Sequence, residues 1–175
     1  MPKRLENKCS FQTERLSVFG VSNYVDKASL SNHVINIMTP KVTESLPTEW
    51  QNLNTVVDAN DWINRISNKS NFLLVQSKST SELVGFTFLY EPVDMKTPID
   101  IRLGYLLSED CWGIGIGSEL IQGLLKWSKT SQVIKSITAG VEPNNIGSIK
   151  VLIKNGFVRT SLNSDGALFY VYKCL

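Results

Sequence analysis

The chain has 175 residues, 42% of them apolar, which is enough for one ordinary domain spanning residues 1–175 with its own core. A formal charge of +2 is too small to predict nucleic-acid or membrane binding by charge alone. One histidine and three separated cysteines without C-x-x-C spacing exclude the usual metal-binding patterns. They predict reduced thiols in a cytoplasmic protein that holds no metal.

The N-terminal third of the chain has one readable strand and a poorly patterned region. Residues 11–19 are rich in strand formers and predict a single edge strand, with Thr13-Glu14-Arg15-Leu16 at its centre. Residues 22–62 show helical patches, a proline-containing loop and a helix starting near Asp58, which is a suitable N-cap. We attach no function to the predicted strand.

Six further segments predict strands, and their order along the chain indicates the fold class. Their β-branched and aromatic residues are bounded by turn-forming residues, over 71–76, 83–90, 99–107, 133–141, 157–161 and 168–173. The first three follow one another closely, as antiparallel hairpins do. The next is reached through a helix, which predicts a parallel crossover and an α+β fold with one mixed sheet.

Three glycines alternate with isoleucines where the third of these strands meets the helix. The string is Cys111-Trp112-Gly113-Ile114-Gly115-Ile116-Gly117-Ser118. Glycines permit backbone conformations that point successive N–H groups at one spot, and the helix that follows adds its positive end. The pattern predicts a phosphate or pyrophosphate site, against the alternative of a tight turn without a ligand.

Two common phosphate-binding patterns do not match this loop. A nucleoside-triphosphatase loop needs Lys followed by Ser or Thr after its last glycine, and Gly117 is followed by Ser118 and Glu119. A dinucleotide loop reads G-x-G-x-x-G after the first strand of the fold, whereas this loop reads G-x-G-x-G and lies deep in the chain. The identity of the anion has to come from elsewhere in the sequence.

A second informative stretch lies one crossover later, at the start of another helix. Asn145 and Ser148 are spaced i, i+3, and Asn155-Gly156 supplies the left-handed residue that ends a helix. Taken alone, Asn144 or Asn145 is best explained as an N-cap.

These residues together resemble the GNAT superfamily of N-acetyltransferases. Residues 112–117 resemble its acyl-CoA loop, (Gln/Arg)-x-x-Gly-x-(Gly/Ala), and Asn-x-x-Ser followed by Lys154-Asn155-Gly156-Phe157 resembles its second signature. Trp112, the preceding Gly104-Tyr105-Leu106-Leu107 and, more weakly, residues 13–16 are similar to the RimJ/RimL-like branch, which acetylates protein N-termini. The likeness is strong over residues 103–157 and nearly absent over 22–71.

The resemblance implies a fold, a cosubstrate and a set of contacts. The fold is a mixed, mostly antiparallel twisted sheet of about seven strands flanked by helices, with two strands splayed at the acetyl-CoA site. The N–H of about Leu106 would stabilise the oxyanion. Ser148 would lie near the thioester sulfur. The residues implied in acetyl-CoA binding are Leu106, Leu107, Trp112, Gly113, Ile114, Gly115, Ile116, Gly117, Ser118, Asn145 and Ser148.

The chain departs from the family pattern at the acid and at the base. Family members usually have a tyrosine that protonates the thiolate, and this chain has Leu152 at that position. Ser148 is the expected substitute, and it would orient the sulfur or relay a water. The usual glutamate is Arg102, which could instead select an acidic acceptor. Asp100, on the same strand face, and Asp165 are the candidate bases.

Two classes of function follow. The first is an enzyme that moves the acetyl group of acetyl-CoA directly to a primary amine, on a protein N-terminus or a small molecule. The second is a non-catalytic acyl-CoA-binding module. The family transfers the acetyl group without a covalent enzyme intermediate, so Cys111 is expected to be a packing residue. The resemblance allows a homodimer, but no interface can be read from the sequence.

Overall fold

The computed structural model describes residues 5, 8–93, 98–162 and 166–175. Across them runs one open, mixed sheet in the order β1-β2-β3-β4-β5-β6-β8-β7, where β5 and β6 form the one parallel pair of the described strands. This confirms the expected α+β fold. The strands are β1 (Phe11–Gln12), β2 (Leu16–Gly20), β3 (Asn71–Ser77), β4 (Leu83–Tyr90), β5 (Ile99–Leu107), β6 (Ile134–Val141), β7 (Val158–Leu162) and β8 (Leu168–Lys173).

The described sheet has eight strands rather than about seven because the predicted strand over residues 11–19 is divided. The Thr13 N–H donates to the Leu16 carbonyl over 2.9 Å, and the Leu16 N–H donates to Thr13 Oγ1 over 3.0 Å. A threonine side chain that bonds the backbone nearby favours a turn over a continuous strand. The chain therefore reverses, and β1 pairs antiparallel with β2.

The helices lie on both sides of the sheet: α1 (Leu30–Ile37), α2 (Pro40–Thr43), α3 (Val56–Lys69), α4 (Ile116–Ser131) and α5 (Ile146–Lys154). The prediction that Asp58 caps α3 is wrong. Thr55 is the N-cap: its side chain accepts from the Asp58 N–H, and the Asp58 carboxylate accepts from the Thr55 N–H, each over 3.1 Å. This reciprocal capping box starts the helix three residues earlier.

The sheet separates two hydrophobic cores. Alternation along β3 turns Leu73 and Val75 towards one core and Phe72 and Leu74 towards the other. The first core packs α4 and α5 onto the sheet, with Leu120, Ile121, Leu124 and Leu152 fully buried. The second packs α1 and α3 on the opposite face around the aromatic cluster of Trp50, Trp62, Phe72, Phe86 and Phe88.

The parallel pair at the centre of the sheet separates towards one end. The ladder between β5 and β6 ends at Leu103 and Ala139, although β5 continues to Leu107. On its other side, β5 stays paired with β4 as far as Leu107 opposite Gly85. The last four residues of β5 thus face an opening where a sheet neighbour would lie, as expected for splayed strands.

Candidate active site

The glycine loop sits between β5 and α4 and has the conformation that its sequence predicts. Gly113 and Gly115 have φ of 73° and 84°, in the left-handed region where a Cβ is strained. Gly117 allows close packing instead, since a Cβ there would lie 3.3 Å from Val151 Cγ2 of α5. The first N–H groups of α4 have no partner within the helix, so the loop combines N–H donors with the positive end of a helix.

The turn between β1 and β2 holds this loop in place. The Glu119 carboxylate accepts from Thr13 Oγ1 at 2.5 Å, from the Arg15 N–H at 2.7 Å and from Arg15 Nε at 2.6 Å. Arg15 Nη1 also donates to the Ile114 carbonyl over 3.0 Å. Desolvation opposes ionisation of Glu119, but the bonds from Thr13 and Arg15 outweigh it and lower its pKa. We call Thr13, Arg15 and Glu119 the N-terminal clamp.

Asn145 and Ser148 meet at the start of α5. Asn145 Oδ1 accepts from the Ser148 N–H over 3.1 Å, so Asn145 is the N-cap. The carboxamide nitrogen of Asn145 stays available as a donor. At the other end of α5, Gly156 has φ of 83°, which confirms the predicted left-handed helix end.

A hydrogen bond joins the splayed strand to α5. The Tyr105 hydroxyl lies 2.9 Å from Ser148 Oγ. Burial raises the pKa of Tyr105 by more than its bond to Ser148 lowers it, so the phenol is neutral at physiological pH. The sequence left Tyr105 without a role beyond its place in the Gly-Tyr string.

Alternation along β5 shows which backbone N–H groups face the opening. The Ile99 N–H donates to the residue before β6, and the Ser108 N–H donates to β4, each over 2.8 Å. Odd-numbered N–H groups of β5 therefore point towards β6 and even-numbered ones towards β4. The Leu106 N–H points to β4, and the neighbouring N–H groups of Tyr105 and Leu107 face the opening. The Leu106 N–H, which the resemblance implies as the oxyanion donor, thus points away from the opening.

A cavity of about 580 Å³ connects these elements. Its walls are the end of β5, the glycine loop with the first turn of α4, one side of α5 along its length, and residues 41–42 and 44–46 from α2 onward. The predicted binding residues that line it are Leu106, Leu107, Trp112, Gly113, Gly115, Gly117, Ser118, Asn145 and Ser148.

Two predicted binding residues do not line the cavity. The Ile114 side chain is 58% exposed, and its carbonyl is the acceptor for Arg15. The Ile116 side chain is 6% exposed and belongs to the core beneath α4. Ile116 can contribute only its backbone N–H at the start of the helix.

The structure contradicts the prediction that Asp100 is the general base. Asp100 lies near the opposite end of β5, six residues from Leu106, or about 20 Å along a strand. Its carboxylate accepts from Ser136 Oγ at 2.5 Å and lies 3.9 Å from Lys135 Nζ. Asp165, the other candidate, lies outside the described residues. Arg102 pairs with Tyr90 on β4 and is not part of the cavity wall.

The cavity contains charged residues that the sequence did not single out. Glu44 contributes the one carboxylate among the described residues of its wall, next to α2. Lys150 and Lys154 line it from α5, one helical turn apart. Lys41 lies 3.3 Å from Glu109 and stacks over the Trp112 ring, with 5.4 Å from its Nζ to the ring centre. No local sequence pattern indicated that residues 41–46 would reach the glycine loop.

Other candidate chemistry is sparse in the described part of the chain. Cys9, Cys111 and Cys174 are free thiols, and Cys111 Sγ accepts from Ser108 Oγ over 3.4 Å at the cavity wall. The described residues contain no cluster of three or more potential metal ligands. None of the described helices is long and apolar enough to cross a membrane.

Comparison with known proteins identifies relatives by sequence. Residues 29–158 match the family model described as "Acetyltransferase (GNAT) domain". The chain is also 31% identical, over 141 residues, to a protein of Bacillus licheniformis named "Uncharacterized N-acetyltransferase p20". That alignment covers 76% of this chain and 78% of the relative.

Solved structures share the fold at lower identity. Mycobacterium smegmatis RimJ, in complex with CoA-disulfide, has a TM-score of 0.73 and 16% identity, over 94% of this chain and 87% of that one. The microcin C7 self-immunity acetyltransferase MccE, in complex with acetyl-CoA and AMP, has a TM-score of 0.69 and 17% identity, over 91% and 93% of the two chains. At these identities the likeness concerns the fold alone.

Proposed function

Since the chain belongs to the GNAT acetyltransferase family and is an acetyl-CoA-dependent N-acetyltransferase, we propose that it transfers the acetyl group directly to a primary amine within a ternary complex. The observation that carries this proposal is the continuity of the cavity. One space runs from the glycine loop, past Ser148 and the splayed end of β5, to Glu44. Donor and acceptor can therefore meet without a covalent enzyme intermediate.

The donor end fits acetyl-CoA through backbone groups. The N–H groups of the glycine loop and of the first turn of α4 receive the pyrophosphate. Lys150 and Lys154, at the wall of the same cavity, supply positive charge for the remaining phosphate of CoA. The Asn145 carboxamide and the end of β5 hold the pantetheine arm, which leaves the sulfur beside Ser148.

The transition state needs donors where negative charge develops. As the amine attacks the thioester carbonyl, the oxygen becomes an oxyanion, and fixed N–H groups stabilise it. The N–H groups of Tyr105 and Leu107 are the ones on β5 that face the opening, and we assign this role to them. When the C–S bond breaks, Ser148 donates a hydrogen bond to the departing sulfur.

The acceptor enters from the side of α2. An amine is an ammonium ion at neutral pH and must lose a proton before it attacks. Glu44 attracts the cation and accepts that proton, directly or through a water. Because Glu44 is the one carboxylate among the described residues of the wall, the site suits an acceptor with a single reactive amine. That acceptor is either a protein N-terminus, as in the RimJ/RimL-like branch, or a small molecule.

The free cysteines fit a reducing compartment, and we place the enzyme in the cytoplasm.

An acceptor screen tests the proposal. Acetyl-CoA is incubated with the protein and either peptides that begin with Ala, Ser or Met, polyamines or amino acids, and the released thiol is measured. We expect turnover on at least one class of primary amine, with the acetylated amine identified by mass spectrometry. Tight acetyl-CoA binding in calorimetry without turnover on any acceptor would favour the non-catalytic acyl-CoA-binding module instead.

A further inference from the structure

Tyr105 and Ser148 form a hydrogen-bonded pair at the point where the acetyl donor is expected to react. Tyr105 lies on β5 two residues beyond Leu103, the last residue that pairs with β6, and Ser148 lies in the first turn of α5. Their oxygens are 2.9 Å apart, and both residues line the cavity. Two elements distant in sequence thus place two hydroxyl groups together beside the acyl site.

The direction of this hydrogen bond follows from the chemistry of the two groups. A phenol is far more acidic than an aliphatic alcohol, so it is the stronger donor of the two. Burial raises the pKa of Tyr105, which keeps its proton in place. Tyr105 therefore donates, Ser148 Oγ accepts, and the hydroxyl hydrogen of Ser148 is left to turn towards the cavity.

We propose, on the basis of the function proposed above, that Tyr105 is a positioning residue that orients the Ser148 hydroxyl as a donor to the thioester sulfur of acetyl-CoA. The bond from Tyr105 also polarises Ser148, because hydrogen bonds in a chain strengthen one another in a low-dielectric site. Tyr105 and Ser148 together thus take over part of the role of the family tyrosine, whose position is occupied by Leu152 here. Leu152 is fully buried in the core, and the phenol comes from a strand instead of a helix.

The step balances without a proton leaving Ser148. The amine nitrogen forms a bond to the acetyl carbon, the C–S bond breaks, and its electron pair goes to sulfur. Ser148 stabilises the thiolate through a hydrogen bond and keeps its proton. The ammonium loses one proton to Glu44, and from there to solvent, before it attacks. The attacking nitrogen loses a second proton to solvent as the amide forms. The thiolate takes one proton from solvent to give the CoA thiol, so one proton is released overall.

A double-mutant cycle tests this assignment. The variants are Tyr105→Phe, Ser148→Ala and the double variant, with kcat, the KM for acetyl-CoA and the Kd for acetyl-CoA measured for each. Tyr105→Phe is expected to lower kcat about tenfold, the worth of one hydrogen bond, with KM and Kd unchanged. In the Ser148→Ala background, the same change is expected to lower kcat by less than about twofold, because the residue it acts on is gone.

Tyr170→Phe is the matched control, since Tyr170 is a buried tyrosine of β8 that does not line the cavity. It should leave kcat unchanged. Equal effects of Tyr105→Phe in both backgrounds would overturn the assignment, as would an unchanged kcat in the single variant or a loss that appears in Kd alone. Failure of the wild-type protein to turn over any amine is a different result, because it overturns the proposed function and this inference with it.

Discussion

The two ends of the cavity are built in different ways. The donor end is mostly backbone: positive-φ glycines, the first N–H groups of α4, an N-cap and the unpaired edge of β5. The acceptor end consists of side chains on the four-residue helix α2 and the residues after it. Backbone recognition suits a cosubstrate that does not vary, whereas side chains on a short helix can be exchanged without disturbing the sheet. Substitutions at the donor end should therefore change the KM or Kd for acetyl-CoA, whereas substitutions at the acceptor end should change kcat/KM for the amine.

The largest effect is expected at the acceptor end, from Glu44→Gln. Loss of a general base that also attracts the ammonium should lower kcat/KM for the amine roughly a hundredfold. The KM for acetyl-CoA should stay unchanged, because the donor end is intact. Glu49→Gln is the control, since Glu49 is an exposed glutamate of the same region outside the cavity wall. Equal losses in both variants would remove Glu44 from the mechanism.

Gly115→Val tests the donor end. A β-branched residue at φ of 84° is strained by about 1–2 kcal/mol, so the loop should shift and the Kd for acetyl-CoA should rise about tenfold. Gly166→Val imposes the same strain at φ of 85°, where a Cβ would contact nothing within 4 Å. Isothermal calorimetry should show normal binding for Gly166→Val. Similar Kd values for the two variants would contradict the role of the loop.

A smaller effect is expected from Arg15→Gln, which removes the side-chain part of the N-terminal clamp. The Arg15 side chain is 45% exposed, and ion pairs of this kind contribute about 1 kcal/mol or less. We expect the KM for acetyl-CoA to rise roughly threefold at constant kcat, because the loop loses a support and the reacting groups do not move. Arg159→Gln, an exposed arginine on β7, should change neither parameter. A fall in kcat alone would place Arg15 in the chemistry rather than in the loop.

The smallest effect is expected from Asp100→Asn. Its carboxylate accepts a hydrogen bond from Ser136 and pairs with Lys135 at the far end of β5. We therefore expect kcat and both KM values to stay within about twofold of the wild type. Steady-state kinetics at several pH values would check this. A large fall in kcat together with loss of the acidic limb of the pH–rate profile, where activity rises as a general base loses its proton, would restore Asp100 as the base.

The sequence was a good guide wherever the cause of a structure is local. The bounds of β4, β5 and β8 match the prediction, since strand formers flanked by turn residues determine them. The glycine loop and an asparagine N-cap at position 144 or 145 were also predictable. Glycine spacing and helix capping depend on a few adjacent residues.

What the sequence could not predict depends on contacts between distant residues. Tyr105 and Ser148 are 43 positions apart, and Arg15 and Glu119 are 104 apart. Glu44 lies beside residues that bring α2 to the segment ahead of the glycine loop: Thr39 Oγ1 donates to Glu109 over 2.7 Å, and Lys41 Nζ lies 3.3 Å from Glu109. Asp100 shares a strand face with the site in the pattern of alternation, but alternation does not tell how far along the strand a residue lies.

The N-terminal clamp also governs the order in which the active site can form. Arg15 and Glu119 must meet across 104 positions, so the clamp closes only after the intervening chain has collapsed, and it carries a large loop-closure entropy. The hairpin between β3 and β4 and the helix α4 involve much nearer neighbours and can form earlier. We therefore expect the glycine loop to gain its final support late in folding, so that a partly folded chain lacks a complete acetyl-CoA site.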